Sequence, residues 1–273
     1  MTEIFESAYT AKVPDENGFI AYDEEENRTW KTLYERQADR LSGRACRTFI
    51  EGLDKLALSA DTIPQVPDVN TRMLAATGWS VEPVPALIEH DVFFQLLASK
   101  RFPAATFIRT WEDLDYVKEP DIFHEIFGHA PMLMDQVFAD FVEAYGKRVL
   151  TMNKEDWPLM QRLFWFTVEF GLVKMPEGIR AYGGGILSSI EETVYSIDSD
   201  VPKREPFDVV TVLRTPYRID MLQPIYYVLD GFKQMYDIME ADLDSLLAEA
   251  RKLGELPPLF ATDGSVNEHI NAC

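Results

Sequence analysis

Residues 119–131 read Glu-Pro-Asp-Ile-Phe-His-Glu-Ile-Phe-Gly-His-Ala-Pro, a stretch that places two of the chain's four histidines, His124 and His129, five positions apart. A helix advances about 100° per residue, so a spacing of four keeps two side chains on one face, while five turns them roughly 140° apart. Regular α-helix alone does not aim both imidazoles at one ion. Gly128 precedes the second histidine and Pro131 disfavours α geometry at Ala130. The helix is therefore expected to end near His129, with His124 on its last full turn and His129 on the departing backbone. The same spacing separates the stretch from the H-E-x-x-H zinc-protease pattern, whose histidines share a helical face and whose Glu is the general base. On these residues alone two readings stand: half of a metal site, or two polar residues of a half-buried helix.

A third ligand decides between them, and Glu169 is the candidate. Trp157-Pro158 opens a helix expected to run on through Leu159–Lys174, and Glu169 sits there among Phe164, Trp165, Phe166, Val168, Phe170, Leu172 and Val173. An unpaired ionised carboxylate in such surroundings costs several kcal/mol by the usual desolvation argument, on the order of the lower bound for buried charges. No lysine or arginine lies within a helical turn of it. A divalent cation shared with His124 and His129 would compensate the charge, and two imidazoles with one carboxylate on one face of an ion form the facial triad of non-haem Fe(II) oxygenases.

Working outward, the composition is that of a globular protein with a filled interior: 273 residues, 47% hydrophobic and 12% aromatic. With 46 acidic against 26 basic residues the net charge is −20, which opposes binding to nucleic acid or anionic membranes. Two cysteines, Cys46 and Cys273, are too few for a disulfide framework or a thiolate zinc site and suit a reducing compartment. With no signal-peptide pattern and no run of 18 apolar residues, a soluble cytoplasmic protein is expected.

Residues 1–26 read as an extended arm. From an Asn27 N-cap, Trp30, Leu33, Tyr34, Ala38, Leu41 and Cys46 recur at helical intervals, and the helix is expected to continue through Phe49, Leu53 and Leu56. Asp68 opens a second short helix that Gly78 closes. Residues 79–88, with Pro83 and Pro85, read as an extended segment at a sheet edge or cavity wall. His90-Asp91 start a helix with adjacent Phe93 and Phe94, which point about 100° apart, so one can be core while the other lines a pocket. Ala104–Arg109 has strand length and ends in a cation whose planar fork suits a substrate carboxylate, with Asp121 as its partner; a purely structural salt bridge fits as well. Asp135–Val149 is amphipathic, 207–213 is a strand or short helix, and Gln223–Gly254 is expected to be helical with Gly231 internal. The tail from 257 to 273 reads as loosely held.

Three motifs together carry a resemblance: PDIFHEIFGHAP at 120–131, WFTVEFGL at 165–172 and AYGGGILSSIEE at 181–192. In order and spacing the chain resembles the tetrahydropterin-dependent aromatic amino acid hydroxylases, and among them the compact bacterial members that act on phenylalanine. The likeness runs from about residue 30 to 236. It implies a mostly α fold with a few short strands, a single basket-shaped catalytic domain over 1–273, and no regulatory domain. It also implies a mononuclear Fe(II) and a tetrahydropterin, tetrahydrobiopterin or a related one, acting with dioxygen on L-phenylalanine in a monomer or small homo-oligomer.

By the same resemblance His124, His129 and Glu169 are the iron ligands. Ser188 is a hydroxyl beside the substrate pocket that steadies His124, and Phe93, Glu125, Ala86 and Ile88 flank the pterin. Arg109, held by Asp121, takes the substrate carboxylate, while Pro120, Trp165, Phe170 and Gly185 wall the aromatic pocket. The chain departs from the family at Phe164, where a tyrosine is usual, at Val117, where animal phenylalanine hydroxylases carry threonine, and at Gly184, where alanine is more frequent. Trp165 and Ile219 favour phenylalanine over tryptophan or tyrosine as substrate. Rival readings are another hydroxylation within the family, a zinc hydrolase with Glu125 as base, and a non-catalytic pterin or amino acid sensor.

Overall fold

A computed structural model describes residues 9–261 except 86, 87, 116 and 118. Helix α1 (Glu24–Leu41) begins earlier than the Asn27 cap expected from sequence. Asp23 is the N-cap: its carboxylate accepts from Glu26 N at 2.9 Å while Glu26 accepts from Asp23 N at 2.7 Å, a reciprocal capping box. Asn27 instead donates its side-chain amide to Asp23 O. The buried face of α1 carries Trp30, Leu33, Gln37 and Leu41, and Gln37 Nε2 donates to Leu187 O and Thr193 Oγ1. The first helix is thereby tied to the elements that later support the histidines.

The expected continuous helix is broken at 42–46. Gly43 takes φ +74° and Cys46 caps the separate helix α2 (Arg47–Leu56). The reason is tertiary: Cys46 N donates to Ala181 O and Ala181 N to Arg44 O, so these residues serve as a short extended partner for another segment.

Helix α3 (Val66–Ala76), with Pro67 in its first turn, is followed by Gly78 at φ +76°. Strand β1 (Ser80–Val84) leads through α4 (His90–Ala98) to β2 (Arg101–Ala105), which pairs with β1 in parallel. Residues 106–109, expected to be strand, continue beyond β2 as irregular chain. A π-helix, π1 (Phe123–His129), then runs directly into α5 (Ala130–Leu133). The helix does not end at His129, and Ala130 keeps right-handed helical angles despite Pro131.

Helices α6 (Gln136–Leu150) and α7 (Trp157–Phe164) follow, and α7 continues as a second π-helix, π2 (Trp165–Glu169). Leu172–Met175 is strand β3, not helix, in a hairpin with β4 (Gly178–Ala181). Next come α8 (Gly184–Leu187), α9 (Ile190–Asp198), β5 (Lys203–Pro206) and α10 (Val209–Arg214), the last resolving 207–213 as a short helix. Ile225–Leu229 is β6, and only then do α11 (Lys233–Glu240) and α12 (Leu243–Leu253) appear. Helical periodicity missed β6 because Ile-Tyr-Tyr-Val-Leu is β-branched and aromatic, and the strand is flanked on both edges in the order β4-β3-β6-β5. Gly231, at φ +127°, is a turn residue.

The fold is thus mostly helical with a few short strands, as expected; among the described residues these form two small sheets, and one contiguous apolar core joins α1, α6, α7 and β6. Among the described residues no helix is long and apolar enough to cross a membrane.

Candidate active site

Both helices that carry the three expected ligands are π-helical, and this resolves the spacing problem. In π1 the N–H of Ala130 bonds to Glu125 O, and at the end of π2 the N–H of Phe170 bonds to Trp165 O at 2.8 Å, each five residues back. Such bonding stacks residue i+5 over residue i, so His124 and His129 share a face. Pro131 has no N–H to offer an α-type partner, so widening the turn there sacrifices no bond at that position. Gly128 is not a helix breaker. A Cβ there would lie 2.7 Å from Gly184 O, so its bare backbone admits α8 against π1.

His124 Nε2 and His129 Nε2 come within 3.1 Å of each other, with ring planes at 78°. Glu169 Oε2 lies 3.3 Å from His129 Nε2 and 3.7 Å from His124 Nε2. His124 Nδ1 is 2.8 Å from Ser188 Oγ, whose hydroxyl donates to Gly184 O at 2.8 Å. With that hydroxyl proton committed, Ser188 accepts from Nδ1–H, which leaves Nε2 of His124 as a lone pair aimed at the other two groups. The His129 ring is wedged between Phe102, 4.8 Å away, and Gly184, where a Cβ would lie 2.4 Å from Nδ1.

The electrostatics suit a cation. Burial, and then the neighbouring His129, push His124 down to about 4, so its imidazole is neutral near pH 7. Burial raises Glu169, but the two histidines outweigh it and hold the carboxyl below its ordinary value. Two neutral-capable nitrogens and one carboxylate, with ligand atoms all within 4.8 Å of one another, fit a divalent metal ion.

Beside this triad lies a cavity of about 320 Å³. Of the residues expected from sequence, Ile88, Phe93, Pro120, Glu125, Trp165 and Glu169 line it. Phe93 is the pocket member of its pair, and Phe94 is almost wholly buried behind it while still touching the cavity. Burial, then Glu169 and Asp121, raise Glu125 well above its ordinary value. Phe170 and Gly185 form a second layer: Phe170 lies 4.4 Å from the Trp165 ring, and a Cβ on Gly185 would sit 2.9 Å from Phe170. Ala86 lies outside the described residues. Val117 and Ile219 do not line the cavity, and Ile219 is 56% exposed.

Arg109 and Asp121 form a buried two-pronged pair, Nε–Oδ2 at 2.8 Å and Nη2–Oδ1 at 2.9 Å. Asp121 also accepts from Arg109 N and from His124 N, both at 3.0 Å, so it ties the arginine to the start of π1. Burial opposes the charge on Arg109, yet Asp121 overcomes it and holds the guanidinium above its ordinary value. The fork edge formed by Nε and Nη2 is therefore occupied, and Nη1 is the nitrogen Asp121 leaves unused.

Sequence reasoning missed Tyr217, His90 and Gln161 as cavity residues. Tyr217 stacks on Trp165 at 4.3 Å and 14°, and Gln161 Nε2 lies 3.0 Å from His90 Nε2. His90 falls one turn before Phe93 and Gln161 one turn before Trp165, so helical phase from recognised cavity residues could have found both. Tyr217 lies in irregular chain and carried no such signal.

Residues 1–247 match the family model described as biopterin-dependent aromatic amino acid hydroxylase. The phenylalanine-4-hydroxylase of Pseudomonas aeruginosa is 51% identical over 252 residues, 92% of this chain and 96% of the relative. The solved phenylalanine hydroxylase of Legionella pneumophila shares 58% identity and superposes with a TM-score of 0.91, covering 92% of this chain and all of that one. That of Chromobacterium violaceum with bound oxidised Fe(III) shares 43% identity with a TM-score of 0.84, covering 93% of this chain and 95% of that one.

Proposed function

Because the chain belongs to the biopterin-dependent aromatic amino acid hydroxylase family, we propose that it hydroxylates L-phenylalanine to L-tyrosine, with His124, His129 and Glu169 as the iron ligands. It is a pterin-dependent, non-haem-iron monooxygenase. The observation that carries the residue assignment is the convergence of His124 Nε2, His129 Nε2 and Glu169 Oε2 beside a cavity walled by aromatic rings. When bound, ferrous iron and a tetrahydropterin activate dioxygen, so that one oxygen atom enters the aromatic ring and the other leaves on the pterin.

The chain's own residues then have distinct tasks. Ser188 holds the tautomer of His124, and Gly184 and Phe102 hold the ring of His129. Phe93 and Ile88 offer an apolar face to the pterin, and the carboxyl of Glu125 offers it a polar partner on the same cavity wall. Trp165, backed by Phe170 and Gly185, and Pro120 take the substrate ring and exclude water from it. Arg109, which Asp121 holds by Nε and Nη2, is buried outside the cavity lining and keeps Nη1 unused by that partner for the substrate carboxylate. The whole described chain serves as one catalytic unit.

The test is aerobic turnover of Fe(II)-loaded protein with L-phenylalanine, with and without a tetrahydropterin, separating tyrosine isomers by chromatography. Pterin-dependent para-tyrosine that disappears in Glu169→Ala and His124→Ala is expected. Meta-tyrosine would change the product assignment, and stoichiometric iron binding with no product from any aromatic amino acid would overturn the reaction.

A further inference from the structure

Trp165 is a wall of the cavity. It lies between Tyr217, 4.3 Å away at 14°, and Phe170, 4.4 Å away at 34°. Stacking of this kind holds a ring between two faces but tolerates sliding and rotation within the plane. One directional contact removes that freedom: the indole N–H donates to Gln223 Oε1 at 3.0 Å.

Gln223 is almost fully buried, and both N–H donors of its amide are used. Its oxygen accepts from the indole N–H, and its nitrogen donates to Arg218 O and Met221 O, both at 2.9 Å. Its backbone N–H donates to Glu192 Oε1 at 3.1 Å, and the Tyr226 hydroxyl bonds the same oxygen. Glu192 stands in the first turn of α9, whose N-cap is Ser189, the neighbour of the serine that orients His124. The loop 215–223 therefore contributes both Tyr217 and Gln223 to Trp165, and it is anchored to the helix pair that supports the metal triad.

We propose that Gln223 is a positioning residue for substrate: through the indole N–H it fixes the position and rotation of Trp165 within its ring plane, and so the slot that receives the aromatic ring of L-phenylalanine. The inference rests on the phenylalanine-hydroxylase reading for the identity of that ring. Gln223 touches neither the triad nor the reacting atoms; it acts through Trp165. Its removal weakens the grip on substrate and on the product's regiochemistry, with the iron ligands untouched.

The experiment is a double-mutant cycle of Gln223→Leu and Trp165→Phe, reading KM and kcat for L-phenylalanine, tyrosine formed per pterin oxidised, and L-phenylalanine binding by calorimetry. Gln223→Leu is expected to raise KM and the dissociation constant about tenfold, the scale of one buried hydrogen bond left unmade, with kcat little changed and tyrosine yield per pterin lowered. In the Trp165→Phe background, which has no N–H to orient, the same substitution is expected to change KM by less than about twofold. Equal effects in both backgrounds, or none in the first, overturn the proposal. If Gln223→Leu does not fold, benzothienylalanine at 165 keeps the ring and its stacking but lacks the N–H. It is expected to reproduce the rise in KM, and an unchanged KM overturns the proposal. Wild-type binding of L-phenylalanine without turnover would remove the reaction assignment while leaving the slot to be read by calorimetry.

Discussion

His124 and Ser188, 64 positions apart in the chain, share a 2.8 Å contact between Nδ1 and Oγ, and the Ser188 hydroxyl donates to Gly184 O. The imidazole therefore has one tautomer and one orientation before any metal arrives. Ser188→Ala is expected to weaken Fe(II) or Co(II) binding by about 10- to 100-fold, the usual range for losing such an outer partner. Metal titration of the variant against wild type checks it, and unchanged affinity would remove Ser188 from the site.

The Arg109–Asp121 pair is buried on both sides, and Asp121 additionally serves two backbone N–H groups. Asp121→Ala strands a buried guanidinium and is expected to destabilise the protein by about 3–5 kcal/mol, well beyond the effect of an exposed pair. Urea denaturation measures this. A loss below about 1 kcal/mol would mean that water replaces the carboxylate without difficulty.

Gly128→Ala should force α8 away from π1, because the new Cβ would lie 2.7 Å from Gly184 O. The expected destabilisation is about 1–3 kcal/mol, as for other overpacked sites. Co(II) affinity should fall with it, since Ser188 moves with α8. Unchanged denaturation midpoint and unchanged affinity together would show that the two elements part without consequence.

Glu192 is a buried carboxyl with Tyr226 and the Gln223 N–H as its partners and Glu191 as a like-charged neighbour. Burial raises it from 4.5 to about 7, against the smaller effect of its hydrogen bonds. Between those values the folded protein holds a proton that the unfolded chain has released. Stability contributed by this group is therefore present at low pH and lost as pH rises toward 7, by at most on the order of 3 kcal/mol. In Glu192→Gln that slope disappears, so its stability relative to wild type should rise between pH 5 and pH 8. Parallel urea curves at the two pH values test it, and a constant difference would contradict a raised Glu192.

The residue types and order of the triad were legible without coordinates. His124, His129 and Glu169 are chemically conspicuous, and a carboxyl among aromatic residues must find a cation or hydrogen-bond donors, or else keep its proton. The apolar faces of α1, α6 and α7 were equally legible, because a half-buried helix must repeat its hydrophobic residues at three and four. Other features depend on partners distant in sequence. The break at Gly43 exists because Ala181 pairs with its neighbours, and β6 is a strand because β3 and β5 lie on either side of it.

The sequence by itself determined which side chains could bind a metal and that a spacing of five was incompatible with regular α-helix. Only the tertiary structure decided how that conflict is settled. Both helices that carry the candidate ligands widen into π geometry, α8 closes against π1 across Gly128, and Ser188 reaches His124 from another element. A π turn is held by contacts from outside its own segment, and short-range periodicity contains no record of those contacts.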